Sequence, residues 1–251
     1  ILFITHKLDE VMEIADNITV LKDGTQIVTV KKEETSVIQL AELMVGRKIE
    51  RIVKDRSEDT KKKIQTPIMT IKDFHVKMPG EEIKGVNIDI KDGEILGIGG
   101  LGGQGKIGLA NGVIGLYPAS GEICFKGKKL KLNNPNEMLK NGIVYVSEDR
   151  KGVGLLLDSS IEMNIAVTAL KVKGQFLKSY GLFSQINQKE IREHALKMIK
   201  ELDIRCTSPK QVVKSLSGGN QQKVCIAKAL TMKPEILFIS EPTRGIDIGA
   251  K

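Results

Sequence analysis

The stretch that decides the fold is GGLGGQGKIG at residues 99–108, which holds six glycines and a single lysine, Lys106. The apolar run EILGIGG before it predicts a buried strand, and the residues from Lys106 onward predict a helix. Within the stretch, GLGGQGK has the spacing GxxxxGK, in which glycines let successive backbone N–H groups converge on phosphate oxygens while the lysine reaches the terminal ones. The helix N-terminus adds its dipole. The sequence therefore predicts a phosphate-binding loop between a strand and a helix.

Two other interpretations of the same glycines remain open at this point. Gly97, Gly99 and Gly102 satisfy GxGxxG, and Glu122 follows about twenty residues on, where a dinucleotide-binding fold places an acid for the ribose. Glu122 opens its strand, however, whereas that acid belongs at the far end of the strand, so the match is weak. The second interpretation is a plain glycine-rich turn with an exposed Lys106.

Length and composition restrict the classes of protein that fit. The 251 residues are enough for one large domain, or for one domain and part of another. No apolar run approaches the roughly 18 residues that span a bilayer, and no targeting segment is visible. Cys124, Cys206 and Cys225 have no CxxC spacing, so a reducing cytoplasm fits better than a disulfide framework or a zinc site. The net charge of +8 lies in solvated runs without interleaved aromatic residues, which disfavours a nucleic-acid partner.

The order of patterned segments predicts two unequal domains joined by a linker. Residues 1–46 contain a short apolar strand ILFIT, an amphipathic helix, a hairpin around Asp23-Gly24 and a second helix, which is too small a set for a domain of its own. Residues 47–66 are dense in charge and poor in apolar residues, which indicates a linker. From residue 67 to 251 strands alternate with helices, which predicts an α/β fold with a largely parallel sheet. We therefore expect 1–46 to be the end of one domain and 67–251 to be a second, truncated after the segment EPTRGID.

Two further motifs follow the loop in the sequence. LSGGNQQK at residues 216–223 places small residues and two glycines at the start of a helix, where backbone N–H groups can face an anion. On its own, the SGG would be an ordinary helix cap. FISEPTRGID at residues 238–247 places Glu241 at the end of a predicted apolar strand, where a carboxylate can polarise a water beside a phosphate. On its own, this segment would be a turn that ends a strand.

Taken together and in this order, the loop, LSGGNQQ and ILFISEPTRGID resemble the ATP-binding subunits of ABC transporters. YVSEDRKGVGLLLDSSIEMNI narrows the resemblance to importers of ribose, galactose and related monosaccharides, in which two nucleotide-binding domains are fused in one polypeptide. ILFITHKLDEVMEIADNITVLKDG and MVGR resemble the end of the first domain, so the resemblance covers essentially the whole chain. It implies a P-loop NTPase fold of the ABC ATPase type, with a largely parallel sheet, an antiparallel β portion and a helical subdomain.

The resemblance also implies roles for individual residues. Glu241 matches the catalytic base, His6 matches the switch histidine that senses the terminal phosphate, and Glu148 stands where first domains of the family have the glutamine that couples ATP to the permease. The plainer alternatives are a solvated histidine at a strand end and a surface ion pair between Glu148 and Arg150. The residues expected to contact nucleotide are Gly100, Gly102, Gly103, Gln104, Gly105, Lys106, Ile107, Glu148, Ser217, Gly218, Gly219 and Gln221.

Two positions depart from the family pattern at the point where a metal is held. In phosphate loops Mg²⁺ is bound by the Ser or Thr after the lysine and by an Asp at the end of the second motif's strand. Here those residues are Ile107 and Ser240. An aliphatic side chain is no ligand, and a neutral hydroxyl is a far weaker one than a carboxylate. We therefore expect ATP without a protein-held metal at the Lys106 site, and slow or absent hydrolysis there despite Glu241, whereas Mg²⁺ is expected at a site whose loop lies upstream of Ile1.

In the family, two domains pack head to tail, and each ATP lies between the phosphate loop of one and the LSGG segment of the other. The resemblance therefore implies that His6 and residues 217–219 line the upstream-loop site, which hydrolyses ATP, while the Lys106 site binds nucleotide and holds the domain pair closed. It implies as partners the transmembrane permease subunits of a sugar importer, an extracytoplasmic sugar-binding protein acting indirectly, and no nucleic acid. The implied location is peripheral, at the cytoplasmic face of the membrane. Two other classes stay open, a non-hydrolysing nucleotide-binding scaffold and a soluble ABC protein that acts on nucleic acid or the ribosome.

Overall fold

The computed structural model describes residues 1–5, 7–22, 24–46, 66–180 and 183–243. Contacts divide the chain into two compact units, whose described residues lie within 1–46 and 66–243. The linker expected at 47–66 lies almost entirely outside the described residues, so the domain boundaries stay a prediction. No helix in the described ranges is both long and apolar enough to cross a membrane.

The first unit consists of a helix, a hairpin and a second helix around a small apolar core. Its elements are helix α1 (Leu8–Ile14), strands β1 (Asn17–Lys22) and β2 (Thr25–Lys31), and helix α2 (Val37–Val45). Ser36 caps α2 by accepting a hydrogen bond from the Gln39 N–H, and Gly46 ends it with a left-handed φ of 78°. The hairpin and both helices are confirmed where the sequence predicted them.

The strand expected at the start of this unit does not form. Residues 1–5 belong to no helix or strand, and Ile1, Leu2 and Ile4 are highly exposed. An apolar run makes a stable strand only when a neighbouring strand pairs with it and a further layer covers it. Within the described part of the unit, β1 and β2 pair only with each other. The prediction of a strand over ILFIT is therefore wrong.

The second unit begins with an antiparallel sheet packed against one helix. Its first elements are β3 (Pro67–Val76), β4 (Ile83–Lys91), α3 (Lys106–Ile114), β5 (Ala119–Phe125), β6 (Lys128–Lys129), α4 (Pro135–Lys140) and β7 (Ile143–Val146). Four of these strands pair in the order β4-β3-β5-β6. Met69, Ile71 and Phe74 of β3 are almost completely buried in one core with Leu109 and Val113 of α3. This sheet therefore fixes α3 and the loop that precedes it, and the antiparallel portion is confirmed.

Helices dominate the next part of the unit. They are α5 (Ile161–Lys173), α6 (Gln188–Glu201) and α7 (Gly218–Thr231), with a small hairpin of β8 (Leu177–Tyr180) and β9 (Phe183–Ile186) before α6. The three helices share one apolar core. Glu162 of α5 is 3% exposed and accepts hydrogen bonds from Arg192 Nε and Nη2 at 3.0 and 3.1 Å. These bonds hold the pKa of the Glu162 carboxyl below its usual range and tie α5 to α6, so the predicted helical portion is confirmed.

The parallel sheet is smaller than the sequence predicts. Strand β10 (Ile236–Ile239) pairs in parallel with β7, and these are the two strands of parallel pairing among the described residues. The strand expected over EILGIGG is absent, because residues 94–100 form no ladder with a described strand, and Ile95 and Ile98 are 80% and 46% exposed. A parallel strand is stable when neighbours and both sheet faces cover it. Glu94, Ile95, Leu96 and Ile98 instead line a cavity of about 740 Å³ together with the residues of β10.

Candidate functional site

The glycine loop has the backbone shape that its sequence predicts. Gly103 and Gly105 adopt left-handed φ values of 78° and 86°, and α3 begins directly after Gly105. A Cβ atom at Gly105 would lie 2.6 Å from the carbonyl oxygen of Glu82, and one at Gly108 would lie 1.9 Å from that of Glu81. The chain before β4 therefore packs directly against the loop, and only glycine fits this approach. Gly100, Gly102 and Gln104 are exposed at the tip of the loop.

A carboxylate occupies part of this loop. Glu81 Oε1 accepts a hydrogen bond from the Gly103 N–H at 2.8 Å, and Oε2 accepts one from the Ile107 N–H at 3.4 Å. Glu81 is only 9% exposed. Backbone N–H groups in a glycine loop at a helix N-terminus attract anions through their partial positive charge. The loop therefore holds an anion already, and that anion belongs to the protein.

Lys106 and Glu241 lie side by side at the mouth of the site. Lys106 Nζ is 3.6 Å from Glu241 Oε1, and the two side chains are 27% and 38% exposed. Glu241 lies two residues after the end of β10 and has a left-handed φ of 41°, which is uncommon for a residue other than glycine. Both residues line the cavity beside β10. The structure thus brings together the predicted phosphate-binding lysine and the predicted base.

A chain of polar side chains joins the end of β7 to the end of β10. The Tyr145 hydroxyl donates to Glu148 Oε2 at 2.7 Å and lies 3.3 Å from the Ser240 hydroxyl. Asn111 of α3 donates its side-chain N–H to Tyr145 at 3.2 Å and to the Ile107 carbonyl at 3.0 Å. Burial raises the pKa of Tyr145 to about 12, so the phenol stays protonated as a donor. Glu148 is thereby held next to the strand end that carries Ser240.

The side chains around Lys106 do not fit a Mg²⁺ ion held by the protein. Ile107 offers no side-chain oxygen, and its N–H is bonded to Glu81. The Ser240 hydroxyl is a neutral group in contact with Tyr145. Across the ranges that the structure describes, no three His, Cys, Asp or Glu side chains are grouped so that they could hold a metal ion. Hard divalent cations bind best to several oxygen ligands, of which carboxylates are the strongest.

The segment at residues 216–223 forms the start of α7. Ser217 is its N-cap, and its hydroxyl accepts from the Asn220 side-chain N–H at 2.9 Å. The Gly218 carbonyl accepts from Arg150 at 3.0 Å, whereas Gly219 is buried within the unit. The Gln221 side chain is also buried and donates to the Val213 and Leu216 carbonyls, an arrangement that does not favour its predicted contact with nucleotide. Among the described residues, no hydrogen bond or ion pair joins this segment to the glycine loop, so its role stays a prediction.

Three residues that shape the site were not singled out from the sequence. Tyr145 and Asn111 are polar residues within otherwise apolar elements, which is a signal that sequence analysis can use. Glu81 gave no such signal, because it stands in the polar turn MPGEEI, where an exposed glutamate is the ordinary expectation. His6, the predicted switch residue, lies outside the described residues.

Comparisons with known proteins agree with this arrangement. A family model described as ABC transporter matches residues 83–244. The chain is 40% identical over 252 residues to the ribose import ATP-binding protein RbsA 2 of Rhizobium meliloti, a match that covers 100% of this chain and 47% of that protein. It is 42% identical over 256 residues to the xylose import ATP-binding protein XylG of Thermoanaerobacter pseudethanolicus, again covering 100% of this chain but 48% of the relative. The chain therefore spans about half the length of the curated relatives it matches.

Solved structures give the same fold. A dimeric ATP-binding cassette in a post-hydrolysis state with ADP and Pi bound is 26% identical, with a TM-score of 0.57 over 72% of this chain and 77% of that one. A nucleotide-free cassette from an ABC transporter has a TM-score of 0.57 at 22% identity, over 74% of this chain and 73% of its own. The expected fold class, an α/β nucleotide-binding cassette with antiparallel and helical portions, is confirmed.

Proposed function

The chain belongs to the ABC transporter family, and we propose that it is part of an ATP-binding subunit that energises the import of a simple sugar. Its ribose-import and xylose-import relatives support the sugar class, since the resemblance extends along the whole chain. The match over residues 83–244 supports ATP as the ligand. The proposed partners are the transmembrane permease subunits of the importer, at whose cytoplasmic side the protein binds peripherally, with an extracytoplasmic sugar-binding protein acting indirectly.

The observation that carries the proposal is the pairing of Lys106 with Glu241 beside the glycine loop. The loop offers backbone N–H groups and Lys106 offers a cation, so this side of the site suits a phosphate chain. Glu241, 3.6 Å from the lysine, stands where it can accept a proton from a water that attacks the terminal phosphate. Gly100, Gly102, Gly103, Gln104, Gly105 and Lys106 are the proposed phosphate contacts, and Glu148 the proposed contact at the end of β7.

We further propose that the Lys106 site binds nucleotide but hydrolyses it slowly. A metal ion in such a site stabilises the negative charge that builds up during phosphoryl transfer, and Ile107 and Ser240 supply no strong ligand for one. The second ATP of the pair is proposed to lie against Ser217, Gly218 and Gly219. The phosphate loop, the Mg²⁺ ligands and the switch residue His6 of that site are proposed to belong to the other nucleotide-binding domain of the pair, here called the companion domain. In this account the companion site hydrolyses ATP, and the Lys106 site keeps the domains together.

The second candidate function is that of a nucleotide-binding scaffold that does not hydrolyse ATP. Ile107 and Ser240, which offer no strong metal ligand, favour it as well. The scaffold differs from the transport ATPase in one prediction: the full-length parent protein, of which this chain is proposed to be a part, forms no ADP from ATP at either site. Measuring ATP turnover of the parent protein therefore separates the two. ATP turnover should be abolished when the loop lysine of the companion domain is changed and retained when Lys106 is changed. This result would favour one site that hydrolyses ATP and one that only binds it.

Binding of ATP to this chain tests the proposal directly. Lys106→Ala should weaken ATP binding at least about tenfold, because a charge-assisted contact to phosphate is lost. The matched control is Lys129→Ala, which removes an exposed lysine of β6 that pairs with Glu122 at 2.7 Å and should leave affinity unchanged. Equal affinities in the two variants would refute the assignment of Lys106. Loss of ribose and xylose uptake in cells that lack the parent protein tests the transport assignment separately, and unchanged uptake of both sugars would count against it.

A further inference from the structure

The Glu81 carboxylate is placed where a phosphate group would be expected. Its two oxygens accept from the Gly103 N–H at 2.8 Å and the Ile107 N–H at 3.4 Å, on either side of Lys106. These N–H groups are the donors that a phosphate loop offers to its ligand. The turn that carries Glu81 is closed by a hydrogen bond from the Glu81 N–H to the Met78 carbonyl, and it lies against the loop, since a Cβ at Gly103 would be 3.4 Å from the Gly80 carbonyl.

The charge of this carboxylate is balanced chiefly by the loop itself. In the described parts of the chain, no Lys, Arg or His nitrogen lies within 4.0 Å of it. Lys84, three residues further on, lies 3.5 Å from Glu82, and Lys106 of the loop lies 3.6 Å from Glu241. A carboxylate that is 9% exposed needs strong partners, because removal from water disfavours its charge. The two backbone donors and the N-terminus of α3 are therefore what stabilises it there.

A phosphate and Glu81 cannot use these donors together. Each N–H group makes one good hydrogen bond, and two anions on one set of donors repel each other at short range. A ligand that enters the loop must therefore displace the Glu81 side chain or bind without two of the loop's own donors.

We propose that Glu81 is an internal competitor of the nucleotide, a residue that occupies the phosphate loop when it is empty and sets the affinity of the Lys106 site. This inference rests on the proposed function only in naming ATP as the natural ligand. The ligand class that the contact itself defines is a di- or triphosphate chain. Displacement of the Glu81 side chain breaks its hydrogen bonds to the Gly103 and Ile107 N–H groups, while the backbone before β4 stays packed against Gly105 and Gly108.

The test uses inorganic pyrophosphate as the probe and the 251-residue chain as the protein. Glu81→Gln keeps the size of the side chain and removes its charge, so pyrophosphate should bind at least about tenfold more tightly than to the unchanged chain. Glu82→Gln is the control, because it makes the same charge change one residue further on, at a side chain that is 58% exposed and lies 3.5 Å from Lys84. Its affinity should equal that of the unchanged chain.

A second readout separates competition from a merely structural role. A competitor stabilises the empty loop, so Glu81→Gln should lower the melting temperature of the protein without ligand. Saturating pyrophosphate should then raise the melting temperature of this variant by more than it raises that of the unchanged chain. Glu81→Asp keeps the charge but is one methylene too short to reach both donors, and it should also bind pyrophosphate more tightly than the unchanged chain. This variant keeps the test decisive if Glu81→Gln does not fold.

The outcomes are distinct. The inference would be overturned if the folded Glu81 variants bind pyrophosphate no more tightly than the unchanged chain does, or do not bind it at all. Glu81 would then be a structural support of the loop. Tighter pyrophosphate binding without any binding of ATP would uphold the inference and refute the nucleotide function.

Discussion

Replacing Gly105 by alanine tests whether the backbone behind the loop fixes its shape. Gly105 has a φ of 86°, and a Cβ there would lie 2.6 Å from the Glu82 carbonyl oxygen and 2.7 Å from Ile83 Cδ1. The Ile83 side chain can turn away, but the carbonyl belongs to the chain that enters β4 and cannot move without disturbing the sheet. The clash must therefore be relieved by the loop and the first turn of α3.

The size of the effect follows from three contributions. The left-handed conformation costs alanine about 1–2 kcal/mol relative to glycine. The added methyl group in a packed site costs about 1–3 kcal/mol. The smaller freedom of alanine in the unfolded chain offsets about 0.4–1 kcal/mol of this. We expect Gly105→Ala to lower the free energy of unfolding by about 3 kcal/mol.

Urea denaturation measures this loss, and Gly99→Ala is the control. Gly99 belongs to the same glycine-rich stretch, but a Cβ there would meet nothing within 4 Å and its φ is outside the left-handed region. It should change the free energy of unfolding by less than about 0.5 kcal/mol. ATP binding should be lost in Gly105→Ala as well, because the N–H groups no longer converge. Equal stability of the two variants would refute the view that the Glu82 backbone dictates this glycine.

Three further predictions concern groups around the site and in the helical portion. Arg192→Ala should lower the free energy of unfolding at neutral pH, because the buried Glu162 carboxylate loses both hydrogen bonds from the guanidinium. Because the pKa of Glu162 is lowered in the folded state, this difference should vanish in urea titrations as pH falls through that pKa, and a pH-independent difference would contradict it. Burial raises the pKa of Cys225 to about 11, so its alkylation near pH 8, followed by peptide mass spectrometry, should be at least about 100-fold slower folded than unfolded, and equal rates would refute its burial. Tyr145→Phe should lower the free energy of unfolding by about 1 kcal/mol in urea, since Asn111 and Glu148 each lose a partner, and unchanged stability would show that these bonds contribute nothing.

The loop and the position of Glu241 beside it could be predicted because local chemistry determines them. Glycine spacing fixes where the backbone can turn left-handed, and the structure has such turns at Gly103 and Gly105. The apolar run ILFIS has the length and composition of a buried strand, and it ends where Glu241 meets Lys106. These features depend on neighbouring residues in the chain, so one sequence is enough to find them.

The features that the sequence did not predict depend on distant partners. EILGIGG has the composition of a buried strand, yet a strand also needs a paired neighbour, and residues 94–100 have none among the described strands. The Glu81 contact joins residues 22 and 26 positions apart, and neither its residue type nor its neighbours distinguish it from an exposed glutamate. Tyr145 contacts both Glu148 and Ser240, and Ser240 is 95 positions away from the tyrosine in the sequence. Such contacts become visible only when the fold is known.

The measurement that tests the central claim most directly is equilibrium binding of a fluorescent ATP analogue, made once with Mg²⁺ and once with EDTA. The claim is that Lys106 and the loop hold phosphate without a metal ligand from the protein, because Ile107 and Ser240 stand at the two ligand positions. The account predicts dissociation constants within about twofold of each other in the two conditions. A large loss of affinity in EDTA would contradict it, because some other side chain would then have to hold the metal.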